Sequence, residues 1–383
     1  EPIRRVAIVG AGNMGSGIAQ KSAQEGFSVQ MIDREEGYVE RGINTIKEFL
    51  QEAIQRRIFS ESQVEAIMAN ITGVVGADSI HLDTDLVIEA VFEDIEVKSS
   101  VLNVLSSSCD EKTIIATNTS SLSVQELSSL SDRPDRFIGL HFFYHPAKNR
   151  LVEIIPSSST SEETIQSVTQ YCRAMGKVVI LCKDRPGFVV NRFFVPWLNE
   201  ACRLLDEGLG TPAQIDSTAR ECFGIGMGPF ELMNLTGPSI ALHSSDYLSS
   251  QLETDRFRGA DCLRKLVEDG GQWDLSGASD TTTSECYEKI KNRLLGVIFC
   301  VSSQIVEEEI CSLEDVDRGA KVGLRWPIGP FEIANRMGVG TASRIASEYA
   351  TTAGLEVPRI LSDRGSKPFD FNLIDIEVEN GVA

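Results

Sequence analysis

Histidine is the side chain that titrates nearest pH 7, and the 383 residues contain four: His81, His141, His145 and His243. His141 stands out by position. It follows the apolar run Phe137 to Leu140, a strand pattern whose carboxyl end belongs to the edge where open α/β sheets bind ligands. Twelve residues on, Glu153 lies in the next strand-like run, from which it could return beside the imidazole. A histidine that takes a hydroxyl proton, with a carboxylate steadying the imidazolium, is the minimal machinery for oxidising an alcohol by hydride transfer to a nicotinamide. Spacing alone leaves open that His141 is a core histidine with its hydrogen bonds satisfied. His141 and His145 are also four apart, the spacing of a metal pair on a helix. Pro146 and the strand context argue against a helix there, so no metal is expected.

A nicotinamide needs a dinucleotide site, and the amino end supplies one. Residues 3 to 9 read as a strand, followed at once by Gly10-Ala11-Gly12-Asn13-Met14-Gly15 and a helical pattern through Gln24. A lone G-x-G-x-x-G is weak evidence. Here the glycines follow a strand, open a helix, and are succeeded 18 residues after Gly15 by Asp33, at the end of the strand Ser28 to Ile32. Gly10 permits the tight turn, Gly12 lets a pyrophosphate approach the backbone, and Gly15 lets the helix lie close to the strand with its unpaired N–H groups aimed at the phosphates. Asp33 can accept hydrogen bonds from the adenosine ribose and would repel a 2′-phosphate. NAD is therefore expected rather than NADP, with Arg34 the one reservation.

These residues must be held by alternating strands and helices. Asp85 to Glu89, Thr113 to Thr117 and Phe137 to Leu140 are short apolar runs separated by helical patterns near Val97 to Ser106 and Ser123 to Ser129. The stretch Glu36 to Asn70 reads as a helical hairpin broken at Phe59-Ser60, and Leu151 to Ile155 and Val178 to Leu181 extend the strands before Pro186-Gly187 ends the pattern. The alternation implies a parallel sheet covered on both faces, a Rossmann-type doubly wound α/β domain over residues 1-185. Beyond it helical periodicity dominates. Asn191-Arg192 recurs as Asn292-Arg293, Asp216 as Asp317, and Gly228-Pro229-Phe230-Glu231 as Gly329-Pro330-Phe331-Glu332, all at one offset of 101 residues. Two all-α C-terminal units related by internal duplication follow, 186-283 and 284-369, joined by the linker Gly270 to Ser284. Residues 370-383 are left as a tail.

Composition bounds the rest. At roughly 150 residues per domain the chain holds two to three domains. Thirty-six Lys and Arg against 56 Asp and Glu give a net charge of −20, which opposes attachment to nucleic acid or an anionic membrane surface. No apolar run approaches 18 residues and the amino end lacks a signal-peptide pattern. Nine cysteines, an odd number without a C-x-x-C pair, suit a reducing compartment. A cytoplasmic or organelle-interior location is expected.

Several segments, in order, resemble the signature segments of the L-3-hydroxyacyl-CoA dehydrogenases. They are Gly10 to Gly15, Glu89-Ala90-Val91-Phe92-Glu93, Asn118-Thr119-Ser120-Ser121, Arg136 to Phe143, Leu151-Val152-Glu153, Asp184 to Arg192 and Gly228 to Glu231. They span residues 3 to 237, and the second helical copy resembles the duplicated unit of multifunctional fatty-acid oxidation proteins. The resemblance implies NAD-dependent oxidation of (S)-3-hydroxyacyl-CoA in β-oxidation. His141 would be the base toward the 3-hydroxyl, Glu153 its partner, Ser120 a donor to the substrate oxygen and Asn191 a contact near the reacting carbonyl. Asn13, Met14, Glu93, Lys98 and Asn118 would join the glycines, Asp33 and Arg34 around the cofactor, and Lys47, Arg56 and Arg57 on the hairpin would meet CoA phosphates.

The family usually continues His-Phe-Phe with Asn-Pro, whereas this chain has Tyr144-His145-Pro146. Tyr144 fills space, donates its own hydrogen bond, or turns outward and leaves the site otherwise ordinary; the acyl group accepted depends on which. Two other readings stand beside the first: a related dehydrogenase of a hydroxy acid without CoA, and a catalytically silent NAD- or CoA-binding scaffold. One-copy relatives pair their helical domains between subunits, so the second copy is expected to pack on the first within one chain, as a pseudo-dimeric monomer, and without a Gly-rich loop it should not bind NAD. Phe371 to Ala383 alternates like the opening strand of an enoyl-CoA hydratase domain, which would make the chain the dehydrogenase part of a fusion.

Overall fold

The computed structural model describes residues 2–279 and 283–371, which divide into two units after Phe188. The first unit runs β1 (Arg5–Val9), α1 (Asn13–Gln24), β2 (Ser28–Asp33), α2 (Glu36–Gln55), α3 (Glu61–Ala69), β3 (Ile71–Val75), β4 (Leu86–Glu89) and α4 (Ile95–Ser108). It continues with β5 (Ile114–Thr117), α5 (Val124–Ser129), β6 (Phe137–Phe142), β7 (Leu151–Pro156), α6 (Glu162–Ala174) and β8 (Val178–Leu181). The eight strands form one sheet in the order β3-β2-β1-β4-β5-β6-β7-β8. The chain winds outward from β1 to β3 and then returns to place β4 on the other side of β1, so the carboxyl ends of β1 and β4 flank a topological switch point. Every residue of β4, β5 and β6 is buried, which is why these strands read as unbroken apolar runs. The hairpin breaks where expected because Ser60 and Gln63 form a reciprocal capping box that starts α3.

Three expectations change. The sheet is not wholly parallel: β6 and β7 pair antiparallel, so β7 and β8 run against the first six strands. The connection between them, residues 143–150, is too short to carry a crossover helix and can only turn back. His141 lies within β6 rather than after it. Finally, β3 is an edge strand that the sequence pattern did not announce, because Gly73 interrupts its apolar run. A Cβ at Gly73 would come within 2.6 Å of Val39 and 2.8 Å of Ile43, so α2 packs directly on that strand's backbone.

Among the described residues the second unit has no strand. It comprises α7 (Val190–Asp206), α8 (Pro212–Phe223), α9 (Pro229–Thr236), α10 (Pro238–Gln251) and α11 (Asp261–Glu268), then α12 (Ser284–Glu307), α13 (Leu313–Arg318), α14 (Pro330–Met337), α15 (Val339–Ala353) and α16 (Arg359–Ser362). The repeated motifs do the same work in each copy. Asp216 accepts the backbone N–H groups of Phe230 and Glu231 at 2.8 and 2.9 Å, capping α9. Asp317 accepts those of Phe331 and Glu332 at the same two distances, capping α14. A Cβ at Gly228 or Gly329 would strike that aspartate, which accounts for the glycine opening each Gly-Pro-Phe-Glu segment. Arg192 on α7 pairs with Glu308, just past α12, while Arg293 on α12 pairs with Glu207, just past α7, both at 2.8 Å. Residues 192 and 293, and 207 and 308, are each one repeat apart, so the contact is reciprocal, as across a twofold axis. The copies differ at their surfaces: Leu235 and Ile240 are exposed apolar residues in the first, where the second has Arg336 and Thr341.

Among the described residues no helix is long and apolar enough to cross a membrane. The expected hydratase-like strand lies outside the described residues from position 372 onward.

Candidate active site

The glycine turn sits at the switch point. Gly10 has φ of +112°, which a side chain would strain, and a Cβ there would collide with the Ala90 carbonyl just past β4. A Cβ at Gly15 would overlap the Gly10 carbonyl, whereas Gly12 has open space around it, leaving room for a ligand to touch the backbone. The first turn of α1, Asn13 to Gly15, has no side-chain cap and no acidic residue, so its amide groups are available to a phosphate. Asp33 ends β2, and its two oxygens accept the amides of Ala11 and Arg34, both at 2.8 Å, which fixes the carboxylate against the turn. Arg34 is exposed and leans on Tyr38, with a 3.0 Å hydrogen bond to its hydroxyl. Lys47 is exposed on α2, Arg56 pairs with Glu52 at 2.6 Å, and Arg57 follows at the helix end.

His141 and Glu153 are register partners across the antiparallel pair β6–β7, so their side chains rise from the same face of the sheet. Nδ1 of His141 lies 2.7 Å from Oε2 of Glu153, and both residues are buried. A carboxylate at Nδ1 holds the proton there and leaves Nε2 as the basic nitrogen. The rings of Phe143 and Phe188 lie 4.5 and 5.7 Å from the imidazole. Asn118, just past β5, accepts the Phe142 amide at 2.9 Å and so ties the ends of β5 and β6 together.

Beside this pair Glu93 gathers the segment 119–121. Its Oε1 accepts the amides of Ser120 and Ser121 at 2.8 and 2.9 Å and the hydroxyls of Thr119 and Ser121. The Ser120 hydroxyl is 3.4 Å from the same oxygen, and Ser120 is exposed. Burial by itself would raise the Glu93 carboxyl; the Lys98 ammonium, the Thr119 hydroxyl and the two amides outweigh it and hold the group down to about 2. Lys98 is 1% exposed and sits behind Glu93, paired with Glu89 at 2.7 Å and with Glu93 at 3.3 Å. Glu89 in turn accepts the Thr117 hydroxyl at 2.7 Å and the Val91 amide at 2.8 Å.

Sequence reasoning missed Glu89, Thr117 and Thr119 as parts of this network; a lone carboxylate closing the apolar run Asp85 to Glu89 was the available signal. Asn191 belongs to the second unit, as the second residue of α7. Tyr144 is turned outward, 69% exposed. What the first unit brings together is thus a buried imidazole–carboxylate pair and a braced serine segment, on the sheet edge that carries the glycine turn.

Residues 5–185 match the family described as "3-hydroxyacyl-CoA dehydrogenase, NAD binding domain", and residues 187–278 and 290–364 match "3-hydroxyacyl-CoA dehydrogenase, C-terminal domain". The mitochondrial hydroxyacyl-coenzyme A dehydrogenase of Sus scrofa is 37% identical over 272 residues, 69% of this chain and 86% of that protein. The fatty acid oxidation complex subunit alpha of Vibrio parahaemolyticus is 30% identical over 378 residues, which are 92% of this chain and 53% of that protein. Among solved structures, the (S)-3-hydroxybutyryl-CoA dehydrogenase of Ralstonia eutropha superposes with a TM-score of 0.68 at 35% identity, covering 74% of this chain and all of that one. The 3-hydroxybutyryl-CoA dehydrogenase of Escherichia coli reaches 0.86 at 22% identity over 95% and 98% of the two chains, a likeness of fold.

Proposed function

Because the chain belongs to the 3-hydroxyacyl-CoA dehydrogenase family, we propose that it oxidises the hydroxyl of a (S)-3-hydroxyacyl-CoA to the ketone, with NAD as hydride acceptor, in fatty-acid β-oxidation. The observation that carries this is the buried His141–Glu153 pair at 2.7 Å on the edge of the sheet that bears the glycine turn. The open space at Gly12, the uncapped first turn of α1 and the fixed Asp33 carboxylate suit a dinucleotide: the turn would take the pyrophosphate and Asp33 the adenosine ribose. Bound there, NAD supplies the hydride acceptor.

The chain's own residues do the rest. Nε2 of His141 takes the proton of the 3-hydroxyl, and Glu153, already on Nδ1, stabilises the imidazolium that results. Ser120 donates to the substrate oxygen from a segment whose backbone Glu93 holds in place; Lys98 acts through Glu93, from behind it. Asn191 is assigned a contact near the reacting carbonyl, and Asn13, Met14, Asn118 and Arg34 places around the cofactor. Tyr144, where the family has Asn, is turned outward, the arrangement in which the site is otherwise ordinary, so the substitution gives no reason to prefer a hydroxy acid without CoA. The direct test is NADH oxidation with acetoacetyl-CoA set against free 3-oxo acids, followed by a scan of acyl chain lengths. Turnover with the thioester and not with the free acid is the expected result, and the reverse would reassign the substrate.

We further propose residues 1-185 as the dinucleotide domain and 186-283 and 284-369 as the two helical copies. The reciprocal pairs Arg192–Glu308 and Arg293–Glu207 support a monomer in which the second copy takes the place of a partner subunit. Size-exclusion with light scattering should give one chain mass at micromolar concentration; a stable dimer that survives dilution would refute it. An odd count of nine cysteines without a C-x-x-C pair supports a reducing, cytoplasmic setting. Fusion to a hydratase is supported by the likeness to a fatty acid oxidation complex subunit of which this chain spans about half.

A further inference from the structure

The loop joining β6 to β7 is held from three sides by groups the scheme above does not use. Lys177, at the start of β8, is 6% exposed, and its Nζ donates to the carbonyl oxygens of Pro146 and, at 2.7 Å, Asn149. Its hydrogen bonds are to carbonyls and the ring of Phe142 lies 5.8 Å away, while the Glu25 carboxylate adds a smaller attraction. Burial, aided by the Lys21 ammonium, pulls the Lys177 ammonium down to about 8.

Pro146 lies on Gly17 of α1, where a Cβ would come within 2.8 Å of the proline ring. His145 rests edge-on against Phe49 of α2, with ring centres 4.5 Å apart. Asn149 closes the loop internally, donating to the Tyr144 carbonyl at 3.3 Å and accepting the Leu151 amide at 3.1 Å. The first residue of the loop, Phe143, is the ring that packs on His141. The loop is therefore seated on the helix that opens at the glycine turn, and it ends against the imidazole.

We propose that Lys177 is a positioning residue: it clamps the 143–150 loop onto the dinucleotide-binding helix and, through Phe143, fixes where the His141 ring stands relative to that helix. The inference rests on His141 being the base. A buried ammonium whose hydrogen bonds go to main-chain carbonyls is an expensive way to hold a loop, and its two carbonyl partners are the ones that bracket the contact with Gly17 and the return into β7. Small displacements of a reacting group are costly in rate, which is what such a clamp would prevent.

Lys177→Met keeps the apolar stem and removes the donors. It is expected to lower kcat about 10-fold or more while the NADH Kd stays within about twofold of the unsubstituted protein. Gly17→Ala reaches the same loop from the opposite side and should lower kcat likewise; adding Pro146→Ala, which removes the ring atoms in the way, should restore most of it. That restoration keeps the idea testable even if Lys177→Met does not fold, since it ties the loss to the contact between the loop and α1, and an unchanged NADH Kd in Gly17→Ala separates a displaced loop from a damaged fold. Unchanged kcat in Lys177→Met, or no recovery in Gly17→Ala/Pro146→Ala, overturns the proposal. Run in parallel, His141→Gln separates the two ideas. If it is inactive while Lys177→Met is normal, the clamp alone is wrong; if it is fully active, the base assignment is wrong.

Discussion

His141→Gln should lower kcat by about 10²–10⁴-fold, the contribution of a positioned general base, and leave the NADH Kd within about twofold. Gln keeps a polar group of similar length but has no nitrogen that can take the hydroxyl proton. The dinucleotide is assigned to the turn at Gly10 to Gly15, after β1, and to Asp33 on β2, so on that reading binding has no reason to follow. Glu153→Gln should fall in the same direction for a different reason. The carboxylate is fully buried and 2.7 Å from Nδ1; an amide there carries no charge to stabilise the imidazolium. If the amide nitrogen donates to Nδ1, it also drives the ring proton to Nε2, turning the basic nitrogen into a donor. Steady-state rates with acetoacetyl-CoA and fluorescence titration of NADH check both. Turnover by His141→Gln at the unsubstituted rate would remove the imidazole from the mechanism.

Lys98→Met should destabilise the first unit by about 3–5 kcal/mol, the usual cost of leaving a buried charge without its partner. Its ammonium is the shared counter-ion of Glu89, which is wholly buried, and Glu93. Glu89→Gln in the same chain removes one of the stranded charges and should recover part of the loss, a coupling that urea unfolding of the single and double variants would measure. The sign with pH follows from Glu93. Its folded carboxyl sits at about 2 against an ordinary 4.5, so its contribution is fully present above 4.5 and is lost as pH falls toward 2. Without Lys98 that acid limb should flatten. A variant as stable as the parent, with the same acid profile, would mean that the three charges are not coupled.

Much of the architecture was legible because its causes are local. The glycine turn, the apolar strands β4 to β6 and the break at Phe59-Ser60 are each specified within a few residues. The duplication was legible because Asp216 and Gly228, and their counterparts Asp317 and Gly329, must be kept together for each cap to form. The antiparallel return of β7 was hidden, since a buried strand reads as the same apolar run in either direction; only the shortness of the 143–150 connection betrays it. His141 and Glu153 were found from residue type and spacing, but their pairing depends on that direction: a register contact across β6 and β7 needs the strands to oppose one another. The Glu89–Lys98–Glu93 network could not be read, because a lysine on an amphipathic helix looks solvated until the fold places two acids beside it. Lys177 was invisible for the same reason, its partners being main-chain carbonyls that leave no mark in the sequence.

The reciprocal ion pairs between α7 and α12 carry an evolutionary corollary. In a homodimer closed by such a twofold, one codon dictates both sides of the junction, so any change arrives twice and must suit two places at once. Here the two sides are encoded separately. One can keep Leu235 and Ile240 while the other drifts to Arg336 and Thr341, and each half is free to specialise without dragging its twin along.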